Sequence, residues 1–186
     1  MTQPQPLPQT DAATAAALGR IPSGLFILTW REIQQADEPA AMDRGMLASW
    51  VMQAGFEPPM ITVAVGTSRD LLTAIDQCHP FVVNVLGESQ RPLLVRFGRP
   101  AGPGENPFDG LPIDRTATGT AALADAVAWL ECQPVSQTSV GPGQAGDHVI
   151  ILARVIAAHA GHAGHAGHAG PEQPPLVHLR RNGLRY

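Results

Sequence analysis

The chain contains no lysine. Its 12 basic side chains are all arginines, scattered with no run longer than Arg180-Arg181, against 16 acidic residues and a formal net charge of -4. Nucleic-acid binders concentrate cations in a patch or stripe, so this pattern argues against them. Cysteine is nearly absent too. Cys78 and Cys132 stand alone, with no CxxC and no adjacent ligand pair, which leaves neither a disulfide framework nor a zinc site to expect. No apolar run reaches the ~20 residues of a membrane span. The first residues, Met1 to Asp11, are rich in Pro and Gln and lack the basic and apolar regions of a signal peptide. A soluble, cytoplasmic chain without membrane association is expected. Phosphate loops of the form GxGxxG or GxxxxGK[ST] are missing, as are HExxH and any Ser-His-Asp or Cys-His arrangement, so hydrolytic and metallopeptidase chemistry has no visible machinery.

What is abundant is glycine, with 19 residues, and proline, with 18. Disorder of the whole chain is excluded by 44% hydrophobic residues, low net charge and runs such as Phe81-Val82-Val83-Asn84-Val85-Leu86. The 186 residues suit one core rather than two domains. Residues 1–13 read as a disordered tail and 14–186 as a single domain. Ala12 to Gly19 suits a short helix ending at glycine. Strands are predicted over Ile21 to Trp30, Met60 to Val65 and Phe81 to Leu86, and later over Ala126 to Cys132, His148 to Ala157 and Leu176 to Arg180. Glu32 to Arg44 reads as a connection and Gly45 to Phe56 as a structured block stopped by Pro58-Pro59. Ser68 reads as the N-cap of a short helix through Ile75. Ser89 to Phe97 reads as a helix with Pro92 in its first turn, and Gly98 to Pro112 as a loop with eight glycines or prolines.

Several medium strands with too few helices to cover two faces of a parallel sheet favour a mainly β fold with short helices, an antiparallel barrel of Greek-key type. A doubly wound fold is the alternative. The segment His159 to Gly170 repeats His-Ala-Gly four times. In an extended conformation with three residues per turn, His159, His162, His165 and His168 would form a row able to ligate a borderline metal. An exposed, mobile loop accounts for the same composition, and no metal site is assigned.

The chemistry is concentrated in residues 45–70. Small residues there let a flat ligand approach backbone amides, Ser49, Gln53 and Ser68 add hydroxyl and amide groups, and a helix start at Ser68 would suit a phosphate. Singly, each has a plain structural use: Ser49 as a turn hydroxyl, Trp50 as a core aromatic, Ser68 as a cap. Together, Ala17-Leu18-Gly19-Arg20-Ile21-Pro22-Ser23-Gly24, Met46-Leu47-Ala48-Ser49-Trp50-Val51-Met52-Gln53-Ala54, Pro58-Pro59, Pro103-Gly104-Glu105-Asn106-Pro107-Phe108 and Asp147-His148 resemble the flavin reductase-like family. Its fold is the FMN-binding split barrel, and the chain is most similar to the version that ends cyanobacterial flavodiiron proteins.

The resemblance implies a homodimer binding FMN, or FAD, at each subunit interface and accepting hydride from NADH or NADPH. It implies that Leu47, Ala48, Ser49 and Trp50 border the isoalloxazine and ribityl groups. Gln53, Ala54 and Gly55 would lie toward the ribityl phosphate, with Ser68 and Arg69 closing on it. Gly55 replaces a serine common in the family, which shifts the phosphate onto backbone N–H groups and Arg69. His148 would meet the nicotinamide or the ring edge, although a histidine opening a strand is also an ordinary packed residue. No protein acid or base is obligatory for hydride transfer. The metallo-β-lactamase-like and flavodoxin-like modules of flavodiiron proteins are not in this sequence, so reduced flavin is expected to serve an electron-accepting partner or to diffuse away. The alternative is a non-catalytic FMN- or haem-binding module for electron transfer or sensing.

Overall fold

Residues 11–32, 42–102, 105–139, 146–160 and 173–180 are described by a computed structural model. The outermost tail 1–10, most of the 32–44 connection, the Pro103-Gly104 pair, and the His-Ala-Gly repeat beyond Ala160 lie outside these residues.

The alanine run forms α1 (Ala12–Leu18), opened by Asp11, whose carboxylate accepts the Thr14 N–H at 2.7 Å. Asp11 to Ala13 are therefore part of the folded unit, and the tail boundary placed at residue 13 moves back. Strands β1 (Ser23–Gly24), β2 (Phe26–Glu32), β3 (Met42–Ala48), β4 (Val51–Phe56) and β5 (Pro59–Gly66) follow. Next come α2 (Leu71–Asp76), β6 (Phe81–Val85), a 3-10 turn at Glu88–Gln90, α3 (Pro92–Phe97), β7 (Ile113–Arg115) and β8 (Ala121–Leu123). The chain closes with β9 (Ala128–Ser139), β10 (His148–Ala160) and β11 (Val177–His178).

Seven strands make one antiparallel sheet in the order β3-β2-β6-β9-β10-β5-β4. Laid flat, seven strands would put β3 and β4 about 29 Å apart. These two edges are consecutive in the chain, joined only by Ser49-Trp50, and three Cα steps from Ala48 to Val51 reach at most about 11 Å. The sheet must curl until its edges approach, which gives a barrel with a split between β3 and β4. Bulges after Leu152 and Val155 bend the long β10 around the curve.

Leu28, Val63, Val83, Cys132 and Ile151, all fully buried, fill the barrel. A second core lies against the outside of β2 and β6, where Ile27 and Leu86 pack under Phe97 of α3, Phe108, Leu123 and Leu176. Strand β6 is thus covered on both faces, which is why its sequence is a continuous apolar run rather than an alternation. Its one polar member, Asn84, is fully buried, donates to the Ile27 carbonyl at 2.9 Å and accepts the Leu123 N–H at 2.7 Å. That pair of bonds fastens β8 to the barrel wall.

Candidate functional site at the barrel split

The β3-to-β4 crossing holds Ser49 and Trp50 at the split. Ser49 is buried, and its Oγ accepts a hydrogen bond from Arg180 Nη2 at 2.7 Å. The Arg180 guanidinium also lies 4.4 Å from the Trp50 ring centroid, a cation–π distance. Trp50 is 37% exposed and so is no core aromatic. Its ring stands 4.7 Å from that of His148, the first residue of β10. His148 Nδ1 bonds the Asp147 carboxylate at 2.9 Å, and that bond and the imidazole charge hold the Asp147 carboxyl below its ordinary value.

His148 pairs with Gly66 at the end of β5, and Thr67 N–H donates to the Asp147 carbonyl at 2.9 Å. The corner therefore runs on directly into Ser68 and Arg69. Ser68 is not a helix cap: α2 starts at Leu71, and Asp70 occupies the cap position without a side-chain bond. Ser68 and Arg69 line instead a cavity of about 310 Å³, facing Gly45 and Met46 of β3 and Arg44 and Arg99. Glu32 pairs with Arg44 at 2.7 Å and Glu105 with Arg99 at 2.6 Å. Arg69 makes no ion pair among the described residues, which leaves its charge for an anion.

Other predicted positions fall elsewhere. Leu47 packs against the second core and Ala48 is buried inside the barrel, because alternation along β3 turns them to opposite faces. Gln53, Ala54 and Gly55 lie away from Ser68 and Arg69, toward the other end of β5. Gln53 pairs with Ile61 and Gly55 with Met60, while Ser68 follows Gly66, and Met60 to Gly66 is about 20 Å of strand. Gln53 and Gly55 line a separate apolar cavity of about 500 Å³ with Val51, Met60, Leu130 and Val155. The missing side chain of Gly55 has a local cause: a Cβ there would sit 3.2 Å from Met60 Cγ and 3.3 Å from the Pro58 carbonyl. Arg180, which the sequence did not single out, is brought to Ser49 by the return of the C-terminal segment to β1.

A phosphate donor set next to an aromatic corner, with small residues between, fits a nucleotide-like flat cofactor such as a flavin. This fold and corner define the flavin-type split barrel. The chain belongs to the flavin reductase like domain family, whose profile matches residues 18–183. Diflavin flavoprotein A 1 of Synechocystis is 35% identical over 150 residues, covering 80% of this chain and 24% of that protein. This chain thus spans about a quarter of the length of such relatives. Actinorhodin polyketide dimerase of Streptomyces coelicolor is 31% identical over 143 residues, covering 77% of this chain and 73% of that protein. Among solved structures, the NADH:FAD oxidoreductase of Streptomyces globisporus superposes with a TM-score of 0.67 at 23% identity, over 91% of this chain and 82% of that one. The styrene monooxygenase flavin reductase of Pseudomonas putida gives 0.65 at 24%, over 89% and 91%. Both share the fold.

Proposed function

We propose that this protein is an NAD(P)H-dependent flavin reductase that passes hydride from the nicotinamide to FMN, FAD being the alternative flavin, in the cytoplasm as a homodimer. The observation that carries the reading is the Arg180–Trp50–His148 corner, from which the backbone passes through the His148–Gly66 pair and the Thr67–Asp147 bond to Ser68 and Arg69 at a cavity. A bound flavin would supply the two-electron, hydride-accepting chemistry. The chain's own groups do the rest. Ser68 Oγ and the Arg69 guanidinium bind the phosphate. Trp50 and Ser49 border the ring and keep water from one side of it. Asp147 engages His148 Nδ1, so Nε2 is the nitrogen that can orient the nicotinamide carboxamide.

Anaerobic mixing of the purified protein with FMN and either NADH or NADPH should bleach the visible flavin absorbance faster than in a protein-free control. No acceleration with either nucleotide overturns the reading. Tight flavin binding without acceleration would instead mark a non-catalytic electron-transfer module.

A further inference from the structure

A third element reaches this corner, from the far end of the chain. Leu176 is fully buried, its N–H donating to the Leu86 carbonyl at 2.7 Å and its carbonyl accepting the Leu25 N–H at 3.0 Å. Val177 and His178 then pair with Gly24 and Ser23. The backbone is thus clamped two residues before Arg180, which presents its guanidinium to both side chains that border the proposed ring position, Ser49 at 2.7 Å and Trp50 at 4.4 Å. Arg180 is half-buried, so its charge is less screened than that of a surface arginine. Among the described groups at the Trp50 corner, Arg180 is a cation held by side-chain contacts. His148 is tied to Asp147, whose side chain is 92% exposed and correspondingly screened, and Arg69 belongs to the phosphate end.

We propose that Arg180 favours the reduced form of the flavin, an inference that rests on the flavin reductase reading. In the hydride step the nicotinamide C4–H bond breaks and an N5–H bond forms. The nicotinamide is oxidised and leaves with one more positive charge, while two electrons and one proton leave the ring one unit more negative. A guanidinium fixed at the ring therefore interacts more favourably with product than with reactant, and does so without reorganising. The hydrogen bond to Ser49 and the seat on Trp50 hold it in place for this.

The test compares wild type with Arg180→Gln and Arg180→Lys. Affinity for oxidised FMN is read by quenching of flavin fluorescence, and the potential of the bound flavin by equilibration with a reference dye. Arg180→Gln should bind oxidised FMN nearly as well as wild type but reduced FMN about tenfold more weakly, so the two-electron potential falls by about 30 mV. Arg180→Lys should retain most of the wild-type potential. An unchanged potential in Arg180→Gln, equal weakening of both redox forms, or a Lys variant that falls as far as Gln overturns the proposal. Wild-type protein that binds no flavin in either state would remove the reductase reading itself and this inference with it.

Discussion

Arg69 is the side chain at which the phosphate end of the site is most directly testable. Its neighbours Arg44 and Arg99 are each paired with a carboxylate, so replacing Arg69 removes one cation from a cavity that Asp70 also lines while leaving both ion pairs in place. A charged hydrogen bond contributes about 1.5–3 kcal/mol, so Arg69→Ala should weaken FMN binding roughly tenfold or more. Riboflavin, which carries no phosphate, should bind both proteins alike. Equal losses for FMN and riboflavin, measured by fluorescence titration, would place the phosphate elsewhere. Cys132 offers a second residue-scale test. Burial inside the barrel, with Glu131 adjacent, pushes its thiol up from an ordinary value near 9.0 to about 12, whereas Cys78 is exposed. A raised value means that the folded state resists forming the thiolate: the thiol's contribution is intact below pH 9 and is lost as pH rises toward 12. At neutral pH a thiol reagent should therefore label Cys78 alone in the native protein, and both cysteines in denaturant. Rapid native labelling of Cys132 would contradict its burial.

At the scale of elements, the loop between α3 and β7 walls the cavity, and a single carboxylate clasps it. Glu105 accepts from Arg99 at 2.6 and 2.9 Å and from the Gly102 N–H at 2.9 Å, which together lower its carboxyl to about 2. A depressed carboxylate holds its partners at every pH above its ordinary value near 4.5 and releases them as pH falls through about 2. The Glu105 carboxyl carbon, followed by NMR, should titrate near 2 in the native protein and move up toward 4.5 in Arg99→Gln. An unchanged midpoint in that variant would mean that the clasp is made otherwise. Sequence alone foretold this loop from its glycines and prolines, but not the clasp, because ion pairing between Arg99 and Glu105 depends on a fold-back that no local pattern encodes. The same limit runs through the molecule. Strands whose apolar residues alternate, or run continuously as in β6, were legible within a residue or two. The hairpin of β7 and β8 was not: Ala121-Ala122 carry no strand preference and are buried because Asn84 and Thr29 bond to that segment. The extension of β9 past Cys132 was hidden by Pro134, tolerated since β6 pairs with β9 only as far as Cys132 and the bulge falls there. At the site, Trp50 and His148 meet at one corner, and Ser68 and Arg69 line a cavity further along the same turn. Gln53, Ala54 and Gly55 separate from them, because adjacency in sequence becomes distance once a strand is fully extended.

The whole molecule poses the question of association. Along β4, β5 and β10 the inward residues Val51, Val63 and Ile151 fill the barrel, so strict alternation turns Met52, Ala64 and Ile150 outward onto one face. Met52 is 67% and Ile150 37% exposed. Exposed large apolar side chains on an outer sheet face point to an interface. A second copy of the chain is the occupant that a self-complementary face serves best, with two-fold symmetry the commonest arrangement. The face adjoins Trp50, whose carbonyl accepts the Ala64 N–H at 2.9 Å, so a partner seated there would also cover the ring end of the proposed flavin site. Sedimentation equilibrium at micromolar protein should accordingly report twice the chain mass of 19.6 kDa. Ile150→Glu places a charge at the centre of the face without touching either core. It should give a monomer with unchanged circular dichroism and thermal midpoint, and with weakened FMN binding. A stable wild-type monomer would overturn the interface, and a monomeric variant that binds FMN as tightly as wild type would show that each barrel completes its flavin site alone.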